Sequence, residues 1–346
     1  MNIESKIQLL NEIIEAQIKQ VNPMYQPGPY WLNKTKRAVR ELRNKSLNNF
    51  RSSENNATES YGDAQLLDMK SQYVGLRYLV YNTATKVFPL NRFFDRQMGL
   101  TKTYANRLIA SESYILNHSN RVDFLMQKYI IPGGNLLGGV DRKSEVRGLP
   151  VSHHYIIMLD LIDRMVERVN ISETRSFCEI GGGFGVNAHL ILSNFPSIRK
   201  YIYVDISPNL YVATQFLRAH FGDAVIDFCH TKDSVDISFS NDDDLEVFCV
   251  LPHQLEFIKE EVDVFHNANS FVEMPQEVVK NYATIVRGFI NKKKGSILLS
   301  SYGGFDANTT FHPDKLIDCF DLDFNSYQSE LLLCKPQQHF YVWSAT

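Results

Sequence analysis

Glu179-Ile180-Gly181-Gly182-Gly183-Phe184-Gly185 decides the reading of this chain. The run follows the apolar stretch Ser176-Phe177-Cys178, which reads as a strand end. It precedes Val186-Asn187-Ala188-His189-Leu190-Ile191-Leu192, which reads as a helix. Glycines at a strand-to-helix turn let the backbone approach a bound ligand where a Cβ would collide. Gly183 to Ala188 also matches G-x-G-x-x-A, and Asp205 lies 20 residues past Gly185 at the end of an apolar run. A carboxylate at that second strand end accepts hydrogen bonds from ribose hydroxyls, so the pattern points to a cofactor that contains a nucleoside.

Working outward from the turn, apolar strands alternate with helical patterns. A helix is predicted over 153–168, a strand ending at Ile180, a helix to Phe195 and a strand over 201–205. A helix over 210–221 follows, then strands near 224–228, 245–251 and 262–266, a helix over 275–290 and a strand over 296–300. Such alternation means right-handed βαβ units and a doubly wound, mostly parallel sheet. Two last strands, 329–334 and 339–343, flank Lys335-Pro336-Gln337 and read as a closing hairpin. The expected class is therefore α/β: a Rossmann-like sheet of the class I methyltransferase kind with a terminal β-hairpin. Residues 1–145 carry long helical patterns (3–18, 32–47, 104–129) and few strand signals. They read as a mainly α-helical cap or substrate region, with the cofactor domain over 146–346.

At 346 residues the chain has room for two such units. Its net charge of −3 implies no polyanionic partner. The five cysteines are scattered with no C-x-x-C pair, which fits a reducing cytoplasm and neither a zinc ribbon nor a disulfide framework. No apolar run approaches the roughly 20 residues of a membrane span.

The glycines and Asp205 alone serve nicotinamide dinucleotides and S-adenosylmethionine (SAM) equally. Three features favour SAM. Glu179 precedes the glycines where dehydrogenases usually carry an apolar residue, and its negative charge suits a ligand with a cationic centre and an ammonium group. The motif lies mid-chain behind a helical region, and the terminal hairpin suits a methyltransferase sheet. The cofactor-binding set read this way is Glu179, Gly181, Gly183, Gly185, Asp205, Ile206 and Asn267.

Three motifs carry a family resemblance. The triple-glycine run 179–185 with its phenylalanine, Tyr203-Val204-Asp205, and Asn269-Ser270-Phe271-Val272-Glu273-Met274 followed by Pro275 and Asn281-Tyr282 resemble the sugar O-methyltransferases encoded with bacterial surface-polysaccharide genes. The resemblance spans roughly 130–345 and is thinner at Pro27-Gly28-Pro29-Tyr30-Trp31. Ile206-Ser207-Pro208 stands where that family continues with Leu-Pro. It implies transfer of a methyl group to a sugar hydroxyl of a glycan or sugar nucleotide. The rival readings are a methyltransferase for another small molecule, an NAD(P)-dependent dehydrogenase, and a non-catalytic binder on the same fold.

A sugar hydroxyl is a weak acid, so a base or a metal is expected near it. Glu273 is the first candidate; its bland role is to stabilise a helix start. His266, at the predicted end of strand 262–266, and His154, ahead of the helix leading to the glycine turn, are the others. His153, His253, Asp306 and His312 are weaker candidates. Asp242-Asp243-Asp244 reads as a solvated turn, so no metal is expected. Lys34, Lys36, Arg37, Arg40, Arg43, Lys45 and Arg51 form a basic run suited to an acidic part of the acceptor. Apart from Phe50, no aromatic residue interleaves with it as a single-strand-binding platform would want, and no Asp-Pro-Pro-Tyr-type segment follows the fourth strand, which disfavours nucleic acid.

Overall fold

The structure is a computed structural model and describes residues 7–44, 47–52, 119–140, 143–301, 310–331 and 334–345. The N-terminal part contributes α1 (Ile7–Lys19), α2 (Pro29–Asn44) and α3 (Ser119–Lys128). Most of the helix expected over 104–129 lies outside the described residues. A small hairpin, β1 (Lys143–Val146) and β2 (Leu149–Ser152), then leads directly into α4 (His153–Val166). The sequence reading did not anticipate this hairpin. Ser152 caps α4, its Oγ accepting from the Tyr155 amide.

The main sheet is built from β3 (Ser176–Ile180), β4 (Lys200–Val204), β5 (Val225–Ile226), β6 (Glu246–Val250), β7 (Val264–Ala268), β8 (Ser296–Ser301), β9 (Asn325–Leu331) and β10 (Cys334–Ser344). Its order is β5-β6-β4-β3-β7-β8-β10-β9. β3 to β8 pair in parallel, and β10 runs antiparallel between β8 and β9. This is the Rossmann-like sheet with a terminal hairpin that the sequence predicts. Between the strands run α5 (Val186–Asn194), α6 (Asn209–Phe221), the single turn α7 (Phe228–Thr231) and α8 (Gln276–Phe289). The expected turn residues Lys335-Pro336-Gln337 lie within a strand instead. Those residues belong to β10, at a break in its register with β9 between Cys334 and Gln338. A strand proline is tolerated at such an irregularity.

The central strands are covered on both faces, so they read as nearly continuous apolar runs. Phe177, Tyr201, Tyr203 and Val264 face one cluster with α4, α5 and α6. Cys178, Ile180, Ile202, Val204 and Phe265 face the other, with Val279, Tyr282 and Val286 of α8. Leu9, Leu10 and Ile13 of α1 are buried in the first cluster, which also holds Phe216 and Leu217 of α6, a helix that α1 contacts. α3 is fastened to α4 by charge. Arg121 reaches Asp160 at 2.6 Å and Asp163 at 2.7 Å, Lys128 reaches Asp163 at 2.6 Å, and both carboxylates are buried. No described helix is long and apolar enough to cross a membrane.

From β3 the chain moves outward to β4 and β6, then returns to β7 on the other side of β3. Connections therefore diverge at the carboxyl ends of β3 and β7. In an open α/β sheet, this is where a ligand crevice forms.

Candidate active site

The glycine turn is held open by its own close contacts. Gly181 has φ +77° and donates its amide to Val204 O at 2.8 Å, and a Cβ there would run into the Ser270 side chain. A Cβ on Gly182 would lie 2.6 Å from both Glu179 Oε2 and a Tyr203 ring carbon. Only glycine fits at either place. Across the turn, Asp205 follows β4. Its Oδ2 accepts from the Gly183 amide at 3.0 Å, and its Oδ1 accepts from the Ile206 amide at 2.7 Å and from Asn209 Nδ2 at 3.3 Å. Burial pushes its carboxyl up to about 7, against the hydrogen bonds from Ile206, Gly183, Asn209 and Tyr203.

These groups form one wall of a cleft lined by Gly181, Gly182, Gly183, Asn187, Asp205, Ile206 and Asn209. The opposite wall comes from the segment after β7. Asn269 takes a left-handed backbone at φ +66°, and a 3-10 turn, Ser270–Glu273, follows. Asn267 secures this turn. Its Nδ2 donates to Ile180 O at 2.7 Å and to Ser270 Oγ at 2.6 Å, and its Oδ1 accepts from the Phe271 amide at 3.1 Å. Glu273 is only 7 % exposed and lines the cleft, with Oε2 accepting from Trp31 Nε1 at 3.0 Å. Gln26, Pro27, Gly28 and Trp31 complete this side, and His154 and Met158 of α4 also line the cleft. The His154 ring lies 5.6 Å from that of Phe184.

The cleft thus brings together Gly181, Gly183, Asp205, Ile206, Glu273 and His154 from the sequence-derived set. Four others stand behind it. Glu179 does not face the cleft: Asn187 Nδ2 donates to its Oε1 at 2.8 Å and the Tyr201 hydroxyl to its Oε2 at 3.0 Å. These bonds tie the strand end beneath the glycine turn to α5 and β4. His266 is 2 % exposed, with Nδ1 3.3 Å from Glu179 Oε1 and its ring against Phe177. β7 continues to Ala268, two residues beyond the predicted strand end, so His266 is enclosed between Glu179 of β3 and Leu298 of β8. Gly185 packs against Leu217, and Asn267 works as the tether just described.

The weaker candidates are dispersed. His153 is buried in the first turn of α4, His253 is half-buried, and His312 is exposed beside Asp314 at 3.1 Å. Asp306 lies outside the described residues. Asp242 pairs with Lys200 at 3.2 Å, Asp243 pairs with Arg175, and among the described residues no group of His, Cys, Asp and Glu could hold a metal ion. Arg51 leaves the basic run altogether. It is fully buried, donating to Asn135 O at 2.7 Å, Leu137 O at 3.1 Å and Ser152 Oγ at 2.7 Å. Arg40 stays exposed, and Arg43 donates to Asn11 Oδ1 at 3.0 Å. The side chains of Arg37 and Lys45 lie outside the described residues. Sequence reasoning missed Trp31 as a wall of the site; the Pro27-Gly28-Pro29-Tyr30-Trp31 segment was its only signal.

The residues present fit a cofactor carrying a ribose. Substituted side chains would fill the glycine cradle, and a buried carboxylate borders it. No family model and no curated protein matches the chain. Among solved structures, it is similar to the pyocyanin biosynthetic protein PhzM, at 12% identity and a TM-score of 0.38 over 56% of this chain and 55% of that one. It is also similar to an O-methyltransferase family protein from Burkholderia thailandensis, at 10% identity and a TM-score of 0.39 over 56% of this chain and 57% of that one. A third is magnesium protoporphyrin IX methyltransferase (ChlM) from Synechocystis PCC 6803 with bound SAM, at 10% identity and a TM-score of 0.37 over 56% and 80%. The chain thus spans little more than half the length of the first two.

Proposed function

We propose that this chain is a SAM-dependent O-methyltransferase acting on a sugar hydroxyl of a glycan or sugar nucleotide. The observation that carries the reading is one cleft with Asp205 and the glycine turn on one wall and the Glu273 carboxylate on the other. When bound, SAM supplies an electrophilic sulfonium methyl. Asp205 accepts the ribose hydroxyls, and the bare glycine backbone allows the cofactor to approach. Ile206 and Pro252 offer apolar surface to the base. Glu273 orients the acceptor hydroxyl and takes its proton as the oxygen attacks. His154 borders the same space as a second polar contact. Half-buried Trp31 offers an aromatic face beside a carboxylate, a pairing suited to the C–H face and hydroxyls of a sugar. The N-terminal region would then supply the acceptor side of the site, and the reaction would run in the cytoplasm, where unpaired cysteines remain thiols.

A dehydrogenase would use the same glycines and Asp205, so the decisive measurement is binding. Calorimetry with S-adenosylhomocysteine, NAD and NADP should give micromolar affinity for the first alone. Tight NAD binding without S-adenosylhomocysteine binding refutes the proposal. Methyl-labelled SAM offered with a panel of nucleotide sugars and, separately, small phenols then tests the acceptor. Label transferred only to phenols refutes the sugar while leaving the methyltransferase reading intact.

A further inference from the structure

Trp31 and Glu273 are 242 residues apart, yet Trp31 Nε1 donates to Glu273 Oε2 at 3.0 Å inside the cleft. The rest of the segment is seated as closely. A Cβ on Gly28 would lie 3.2 Å from Pro275 Cδ and 3.6 Å from Glu273 O, so the N-terminal segment presses on the turn that carries Glu273. The Tyr25 hydroxyl donates to Glu256, and its ring lies 6.3 Å from that of Tyr282. Four residues beyond Trp31 on the same face of α2, Thr35 Oγ1 donates to Ser207 O at 3.4 Å. Ser207 is the residue after Asp205 and Ile206, which line the cofactor wall, and its amide in turn donates to Gln17 Oε1 at 2.6 Å. One face of α2 therefore touches the Glu273 wall and the backbone just behind the cofactor wall.

An indole N–H can donate but never accept. It stabilises the ionised carboxylate and offers nothing to the hydroxyl of the protonated form. A donor on Oε2 also fixes the plane of the carboxylate. We infer that Trp31 is a positioning residue for Glu273, holding its carboxylate ionised and aimed into the cleft from a helix braced behind the cofactor wall. The inference deepens the proposed function and rests on Glu273 serving there as the base. If it holds, the N-terminal region contributes to the chemistry as well as to acceptor binding.

The protein has two tryptophans, Trp31 and Trp343, so indole-¹⁵N labelling gives two side-chain signals. Trp343→Phe assigns them. The Trp31 indole proton should move through one transition as pH falls from 9 to 4, and Glu273→Gln should abolish it. With ¹³C-labelled glutamate, Trp31→Phe should raise the Glu273 carboxyl pKa by about one unit through loss of one donor to a charged group. It should leave S-adenosylhomocysteine affinity within threefold of wild type. A Trp31 signal that does not titrate, or that titrates unchanged in Glu273→Gln, overturns the inference. So does an unchanged Glu273 pKa in a folded Trp31→Phe. If Trp31→Phe fails to fold, the wild-type indole titration still decides. Failure of the wild type to bind S-adenosylhomocysteine refutes the cofactor reading alone, because the titration needs no cofactor.

Discussion

The ribose contact should make cofactor affinity depend on pH near neutrality. Burial lifts the Asp205 carboxyl to about 7, and ribose hydroxyls donate well only to its ionised form. With that midpoint, about one molecule in eleven is ionised at pH 6 and about ten in eleven at pH 8. If only the ionised form binds, the apparent Kd for S-adenosylhomocysteine rises about tenfold from pH 8 to pH 6, since affinity scales with the competent fraction. Binding at pH 7 should release about half a proton, seen in calorimetry as a dependence of the heat on the buffer's ionisation enthalpy. Asp205→Asn keeps the shape, loses the charge and turns an amide towards the Gly183 and Ile206 N–H donors. It should bind at least tenfold more weakly, with no pH dependence between 6 and 8. Neither His189, lowered to about 2, nor His220, lowered to about 4, titrates in that window. His154→Gln controls for the histidine in the cleft. A wild-type Kd that is constant from pH 6 to 8, or tightens on acidification, refutes the reasoning.

Other substitutions separate chemistry from stability. With an acceptor from the panel, Glu273→Gln should lower kcat by roughly 10²–10⁴ and leave S-adenosylhomocysteine affinity intact; a rise confined to KM would make Glu273 a binding residue. Asp163→Ala removes a buried acceptor shared by Arg121, Lys128 and Tyr129, leaving Arg121 on Asp160, and should cost about 1.5–3 kcal/mol in urea denaturation; a loss below about 1 kcal/mol would mean that Asp163 does not hold α3. His189 is lowered by burial and by neighbouring His220 and Arg51, so below pH 6.5 the unfolded chain takes up the proton first and stability falls with pH. Asp205 opposes this between its ordinary 3.8 and about 7, where the folded state holds the extra proton. The useful quantity is therefore a difference: His189→Gln should remove about 1.4 kcal/mol per pH unit from the slope between pH 5.5 and 4, and equal slopes would refute it.

The glycine turn and Asp205 were legible because both belong to one strand–turn–helix–strand stretch whose geometry is set locally. Glu273 was legible for the same reason, standing just after a strand at the crevice edge. His266 was misjudged by two residues of strand length. Its chemistry suits an edge, but β7 runs on to Ala268 and leaves it enclosed between neighbouring strands. Arg51 looked like the end of a cationic helix, yet α2 stops at Asn44 and Arg51 instead satisfies carbonyls at 135 and 137. Trp31 could not be found by local reasoning, since nothing near residue 31 shows that its partner lies 242 residues away.

The burial of α1 against α6 has a consequence for synthesis. Leu9, Leu10 and Ile13 share a core cluster with Phe216 and Leu217, so this apolar face leaves the ribosome about 200 residues ahead of that helix. At roughly 5–20 residues per second, the face stays uncovered for about 10–40 s. A helix that ends as a sealed part of the core thus begins as a sticky one. Over that interval the growing chain must rely on chaperone cover, or on transient coil in α1, to escape association with its neighbours on the same message.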